Sequence, residues 1–218
     1  MTATPVLEVD DSVVAWSHPA GERRGRPLVV LLHGRGSHEQ DLMQLAPFLL
    51  PDAVYAAPRA PLPFPGGGYT WFPTAAPGLP DAAGVAAATR GLLEWLDRAE
   101  PSGPVAVVGF SQGGALATHL MRFDPERCAA YVCLSGFVVP GNVPNDATLP
   151  ALRPPLFWGR DTADPVIPLA ATDFTGRWLP QHSTLTVRQY PGAGHGIVME
   201  EIEDVRDFLA PLVGTSTP

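Results

Sequence analysis

The chain has 218 residues, 45% of them hydrophobic, which suffices for a substantial core and makes one globular domain over residues 1–218 the expectation. A formal net charge of −8 gives no clustered positive charge for phosphates, so no nucleic-acid partner is expected. All 14 basic residues are arginine, which excludes a Walker lysine, a pyridoxal Schiff base and any lysine nucleophile.

The N-terminal stretch MTATPVLEVDDSVVAW has neither the positive start nor the apolar run of a secretory signal. No segment reaches the roughly 18 apolar residues of a membrane span. A cytoplasmic protein without stable membrane insertion is the expectation. If Cys128 and Cys133 share a strand, their odd separation puts them on opposite faces, and no disulfide between them is expected. The six histidines and two cysteines show no metal-ligand spacing, so neither a metal nor another cofactor is expected.

In chain order, apolar strand-like runs alternate with helical patterns, the signature of an α/β fold with a mostly parallel central sheet and helices on both faces. Residues 13–17 read as an edge strand. Residues 27–32, PLVVLL, read as a strand buried on both faces, ending in His33-Gly34-Arg35-Gly36. Ser37 and Gln40 have capping-box spacing and predict a helix carrying Leu42, Leu45, Ala46 and Leu49. Residues 53–57 form the next strand. Residues 58–80 are too rich in proline and glycine for regular structure, yet they carry Phe64, Tyr69, Trp71 and Phe72, so they predict a loop whose aromatics either fold over a site or anchor it to the core. Asp81 then caps a helix whose Val85, Ala88, Leu92, Trp95 and Leu96 recur at helical spacing.

Residues 104–123, PVAVVGFSQGGALATHLMRF, read as a strand, an abrupt turn and a helix with Leu116, Leu120 and Phe123 on one apolar face. The turn is a G-x-S-x-G, Gly109-Phe110-Ser111-Gln112-Gly113, in which glycines flank a serine because strand and helix backbones pass too closely for side chains. Strands follow at 129–134, 155–159 and 185–190, with helices over 169–179 and around Val198, Ile202, Val205 and Leu209. The connection 135–154 is too short for a helical lid domain.

A serine hydroxyl needs a neighbouring base, and the base needs a group that fixes its tautomer. His195, between Gly194 and Gly196 just after a predicted strand, is the candidate base for Ser111; His18, His38, His119 and His182 read as solvated or structural, and His33 as a structural hydrogen-bonder. The acid is Asp161 or Asp164, on one loop at the strand end where open sheets place ligands. Composition does not separate them. Asp164 precedes a proline, which favours an extended conformation able to hold its carboxylate toward the His195 loop, whereas Asp161 reads as a turn residue bonding nearby amides. Serine, acid, histidine is the chain order used by α/β-hydrolases. The main-chain N–H groups of Arg35 and Gln112 occupy the two positions from which an oxyanion is held. Trp71, Phe72, Phe137 and Val166 are the candidate acyl-pocket residues, chosen on loop position and apolar character.

LLHGRG, GFSQGG, DPVIP and GAGHG, together with APRAP and the GGG-Tyr-x-Trp-Phe stretch, resemble the phospholipase/carboxylesterase family, which includes the acyl-protein thioesterases. The resemblance runs from about Leu28 to the final helix with the motifs in order. It implies a lidless α/β-hydrolase that cleaves carboxylic esters or thioesters through a Ser-Asp-His triad without metal or organic cofactor, and it maps the acid onto Asp164. The expected partner is a small-molecule ester of short to medium acyl chain; a homodimer is left open. The alternatives are a dienelactone-hydrolase-like or peptidase-like hydrolase of the same fold, or a ligand-binding protein with a vestigial triad.

Overall fold

Seven strands build the central sheet: β1 (Ala15–Trp16), β2 (Leu28–Leu32), β3 (Val54–Ala57), β4 (Val105–Phe110), β5 (Ala130–Leu134), β6 (Pro155–Arg160) and β7 (Thr184–Gln189), in the order β1-β3-β2-β4-β5-β6-β7. The computed structural model from which they are read describes residues 5–76 and 78–214. Only β1 is antiparallel to its neighbour, pairing with β3 at the sheet edge. Every other pairing is parallel.

The apolar runs form strands here because both faces of the sheet are covered, so every position of β2 is buried. Alternate side chains feed two cores. Leu28, Val30 and Leu32 join Val105 and Val107 on the face covered by helices α1 (Ala82–Ala99) and α2 (Gln112–Phe123). Val29 and Leu31 join Ala106 and Val108 on the opposite face. After α3 (Leu149–Leu152), α4 (Leu169–His182) adds Leu179 to the first core, and α5 (Met199–Val213) adds Val205, Leu209 and Val213 to the second. Each fully buried side chain of this kind contributes about 1.5–3 kcal/mol.

Several expectations change in detail. The helix expected after Ser37 is a 3-10 segment over Leu42–Phe48, and the Ser37 hydroxyl donates to Asp41 Oδ2 rather than capping an amide. Pro47 lies inside it and supplies no backbone donor, which disfavours a continued α-helix. The 58–80 stretch has regular structure after all: Leu62–Pro63 pairs with Tyr69–Thr70, and Thr74–Ala76 with Leu79–Pro80. Prolines are tolerated there because two-stranded ribbons have free edges. Asp81 does cap α1, its carboxylate accepting from the Gly84 amide.

Helix α2 is buried from Gln112 to Arg122 rather than along one stripe, since small residues at Gly113, Gly114, Ala115 and Ala117 let it lie close to neighbouring backbone. Arg122 is buried at its far end, paired with both Asp146 oxygens and bonded to the Val139 carbonyl. Cys128 lies outside β5, and it packs in the same core as Cys133, so the opposite-face argument does not apply; both are free thiols. The 135–154 connection carries only the four-residue α3, and among the described residues no large lid covers the C-terminal edge of the sheet.

Candidate active site

Because the strands from β2 to β7 are parallel, the segments that follow β2, β4, β6 and β7 emerge at one edge of the sheet. Ser111 directly follows β4 with φ 54° and ψ −112°, a backbone conformation that costs a non-glycine residue about 1–3 kcal/mol. Two bonds hold it there: its N–H donates to the Leu134 carbonyl at 2.8 Å, and its own carbonyl accepts from Ala115 at 3.0 Å. The flanking glycines are needed for space. A β-carbon on Gly109 would run into the Gly113 carbonyl, and one on Gly113 into the Leu32 carbonyl.

The loop after β7 brings His195 to this turn, with Nε2 2.9 Å from Ser111 Oγ and Nδ1 2.8 Å from Asp164 Oδ2. An ionised carboxylate only accepts, so Nδ1 carries the proton and Nε2 is free to accept from the serine hydroxyl. The remaining oxygen, Asp164 Oδ1, accepts from the amides of Val166 at 2.7 Å and Ile167 at 3.1 Å, which fixes the direction of the carboxylate. The pair is mostly sheltered, with side-chain exposures of 17% for His195 and 8% for Asp164. Phe110 backs the imidazole, its ring centroid 5.1 Å away.

Asp161 does different work. Its carboxylate accepts from the amides of Ala163 and Gly194, which hold it below the usual carboxylate range and tie the β6 loop to the residue next to His195. His33 donates from Nδ1 to the Gly34 carbonyl at 2.8 Å and accepts at Nε2 from Ala60 at 3.1 Å; burial pushes its pKa down, and it stays neutral in that tautomer. Burial likewise lowers His119 to about 3.

Among the described residues, the backbone amides of Arg35 and Gln112 have no hydrogen-bond partner, and both residues border the cleft beside Ser111. Phe72, Phe137 and Val166 line this cleft together with Thr74, Gly78 and Ile167. Trp71 does not. It is fully buried, its indole N–H donates to the His33 carbonyl at 2.9 Å, and its ring packs 5.3 Å from the His33 ring. Phe72 packs in the same core as Trp71 and also borders the cleft.

The Gln112 side chain is a feature that motif reading missed. Its Oε1 accepts from Thr70 Oγ1 at 3.0 Å and the Trp71 amide at 2.9 Å, and its Nε2 donates to the Phe72 carbonyl at 2.9 Å. It thus clamps the segment that presents Phe72. The only signal available in the sequence was a long polar residue at a position where the turn forces burial. Among the described residues no group of three or more His, Cys, Asp or Glu side chains could hold a metal ion, and no helix is long and apolar enough to cross a membrane.

A serine on a strained strand-to-helix turn at the C-terminal edge of such a sheet defines an α/β-hydrolase. The chain belongs to the Phospholipase/Carboxylesterase family, whose sequence profile matches residues 18–213. Among relatives, it is 25% identical to a probable carboxylesterase of Oryza sativa subsp. japonica, over 87% of this chain and 79% of the other. It is 30% identical to acyl-protein thioesterase 1 of Cryptococcus neoformans var. neoformans serotype D, over 52% of this chain and 54% of that one. Among solved structures, esterase PE8 superposes with a TM-score of 0.76 at 27% identity, covering 92% of this chain and 99% of the other. Carboxylesterase-type hydrolase is accordingly the activity class.

Proposed function

We propose that the protein hydrolyses carboxylic esters of short to medium acyl chain, and the corresponding thioesters, with Ser111 as nucleophile, His195 as general base and Asp164 as the carboxylate that orients it. The hydrogen-bonded chain from Asp164 through His195 to Ser111 carries this reading. His195 Nε2 takes the hydroxyl proton as Ser111 Oγ attacks the acyl carbonyl, and Asp164 stabilises the imidazolium that forms. The Arg35 and Gln112 amides receive the developing oxyanion. The imidazolium protonates the leaving alcohol or thiol. A water molecule, deprotonated by the same histidine, then releases the acyl group as a carboxylic acid.

The chain-length reading rests on the apolar lining of the cleft and on the four-residue α3 where a lid would have to be. Phe72, Phe137, Val166 and Ile167 supply an apolar wall for a few methylenes. The test compares soluble butyrate-type p-nitrophenyl esters with emulsified long-chain triglyceride, using wild type and Ser111→Ala. Turnover of the soluble esters, no rise above the micellar concentration and loss of turnover in Ser111→Ala are expected. Preference for the emulsion would refute the chain-length claim, and wild-type rates in Ser111→Ala would refute the nucleophile.

A further inference from the structure

We propose that the Arg35 guanidinium selects esters carrying a carboxylate, so that the preferred substrates are monoanionic; this rests on the serine-hydrolase reading above and assigns its substrate class. Arg35 follows β2 and the His33-Gly34 turn, and it borders the same cleft as Ser111. Its side chain is exposed, its guanidinium carbon lies 5.4 Å from the Phe64 ring centroid, and among the described residues it has neither an ion-pair nor a hydrogen-bond partner. Arg59, by contrast, is already satisfied. Arg59 is held by both oxygens of Glu39 at 2.6 Å, an arrangement that pulls the Glu39 carboxyl down to about 2.

The rest of the cleft is mostly apolar, with Phe72, Phe137, Val166 and Ile167, so Arg35 is the one charged residue among the described residues that line it and can orient a substrate. The protein carries a net charge of −8, and its overall field disfavours anions. Anionic substrates therefore need a local positive group to enter. A single planar guanidinium matches one carboxylate in a bidentate pair, whereas a doubly charged phosphate would leave charge uncompensated.

The experiment measures kcat/KM for two matched pairs of esters. In the first the carboxylate is on the acyl half: mono-p-nitrophenyl glutarate against p-nitrophenyl hexanoate. In the second it is on the leaving half: 4-carboxyphenyl butyrate against phenyl butyrate. The readout is the anionic-to-neutral ratio in wild type, Arg35→Gln and Arg35→Lys. Taking a ratio within each variant cancels any disturbance of the Arg35 amide. In at least one pair the ratio should fall about tenfold in Arg35→Gln and be partly retained in Arg35→Lys, as expected for an exposed charge-assisted contact. The wild-type ratio should also fall with added salt, and the Arg35→Gln ratio should not. Neutral esters turned over normally with ratios unchanged by Arg35→Gln in both pairs would overturn the inference and leave the hydrolase reading standing. A wild type inert toward all four esters would overturn both.

Discussion

Asp164→Asn isolates the orienting carboxylate, and the structure dictates how the amide must sit. Asp164 Oδ1 accepts from the Val166 and Ile167 amides, while Oδ2 faces His195 Nδ1 at 2.8 Å. Two backbone N–H groups demand an acceptor, so the asparagine carbonyl takes the Oδ1 position and its NH₂ faces the imidazole. Nδ1 must then accept, which moves the ring proton to Nε2. In that tautomer His195 donates toward Ser111 Oγ instead of accepting from it, and the base is lost although every atom stays in place. The equivalent change in serine proteases lowers kcat by about 10⁴, or about 5 kcal/mol of barrier at 1.36 kcal/mol per factor of ten. KM should change little, since the carboxylate does not border the cleft. Asp161→Asn, by contrast, disturbs the amide bonds to Ala163 and Gly194 and should lower stability modestly, with a kcat loss far below 10⁴-fold. The assay is steady-state hydrolysis of a soluble p-nitrophenyl ester by both variants, each first shown by circular dichroism to be folded. A large kcat loss in Asp161→Asn together with near-normal kcat in Asp164→Asn would show that the wrong carboxylate has been assigned.

Gln112→Ala leaves the Trp71 amide without its buried partner and the Phe72 carbonyl with only the Thr70 hydroxyl, so urea denaturation should give a loss of about 1–3 kcal/mol, and KM should rise as Phe72 loses its support. Glu201, buried against Gly159 with one carboxylate oxygen unpartnered, has its pKa pushed up to about 7 by burial. The folded protein therefore binds more protons than the unfolded chain between about pH 4.5 and 7, and this residue's contribution to stability falls as pH rises through that window. Glu201→Gln should remove that part of the slope and gain on the order of 3 kcal/mol relative to wild type at pH 8; denaturation curves at pH 5 and 8 that are parallel for the two proteins would refute it.

The strands were legible because burial on both faces leaves no polar alternation: LVVLL and VAVV are apolar throughout and could be placed without knowing their neighbours. Ser111 and His195 stood out because glycines mark the turns that carry them. What stayed hidden depends on contacts between distant segments. That the Gln112 side chain would reach back about 40 positions to residues 70–72 has no local signature, and without that clamp nothing decides which of Trp71 and Phe72 faces the cleft. The capping-box spacing at Ser37 was misleading because Asp41 competes for its hydroxyl and Pro47 cuts the helix short. The burial of Glu201 has no local signature either, since it depends on the first turn of α5 docking on the glycine at position 159, where the absent side chain leaves room for a carboxylate.

The central claim, that Ser111 is activated by His195 for covalent attack, is met most directly by a fluorophosphonate probe followed by peptide mass spectrometry. Wild type should acquire one phosphonyl adduct on Ser111, Ser111→Ala none, and His195→Ala should label far more slowly while remaining folded. An adduct on another residue in wild type, or undiminished labelling in either variant, would contradict it.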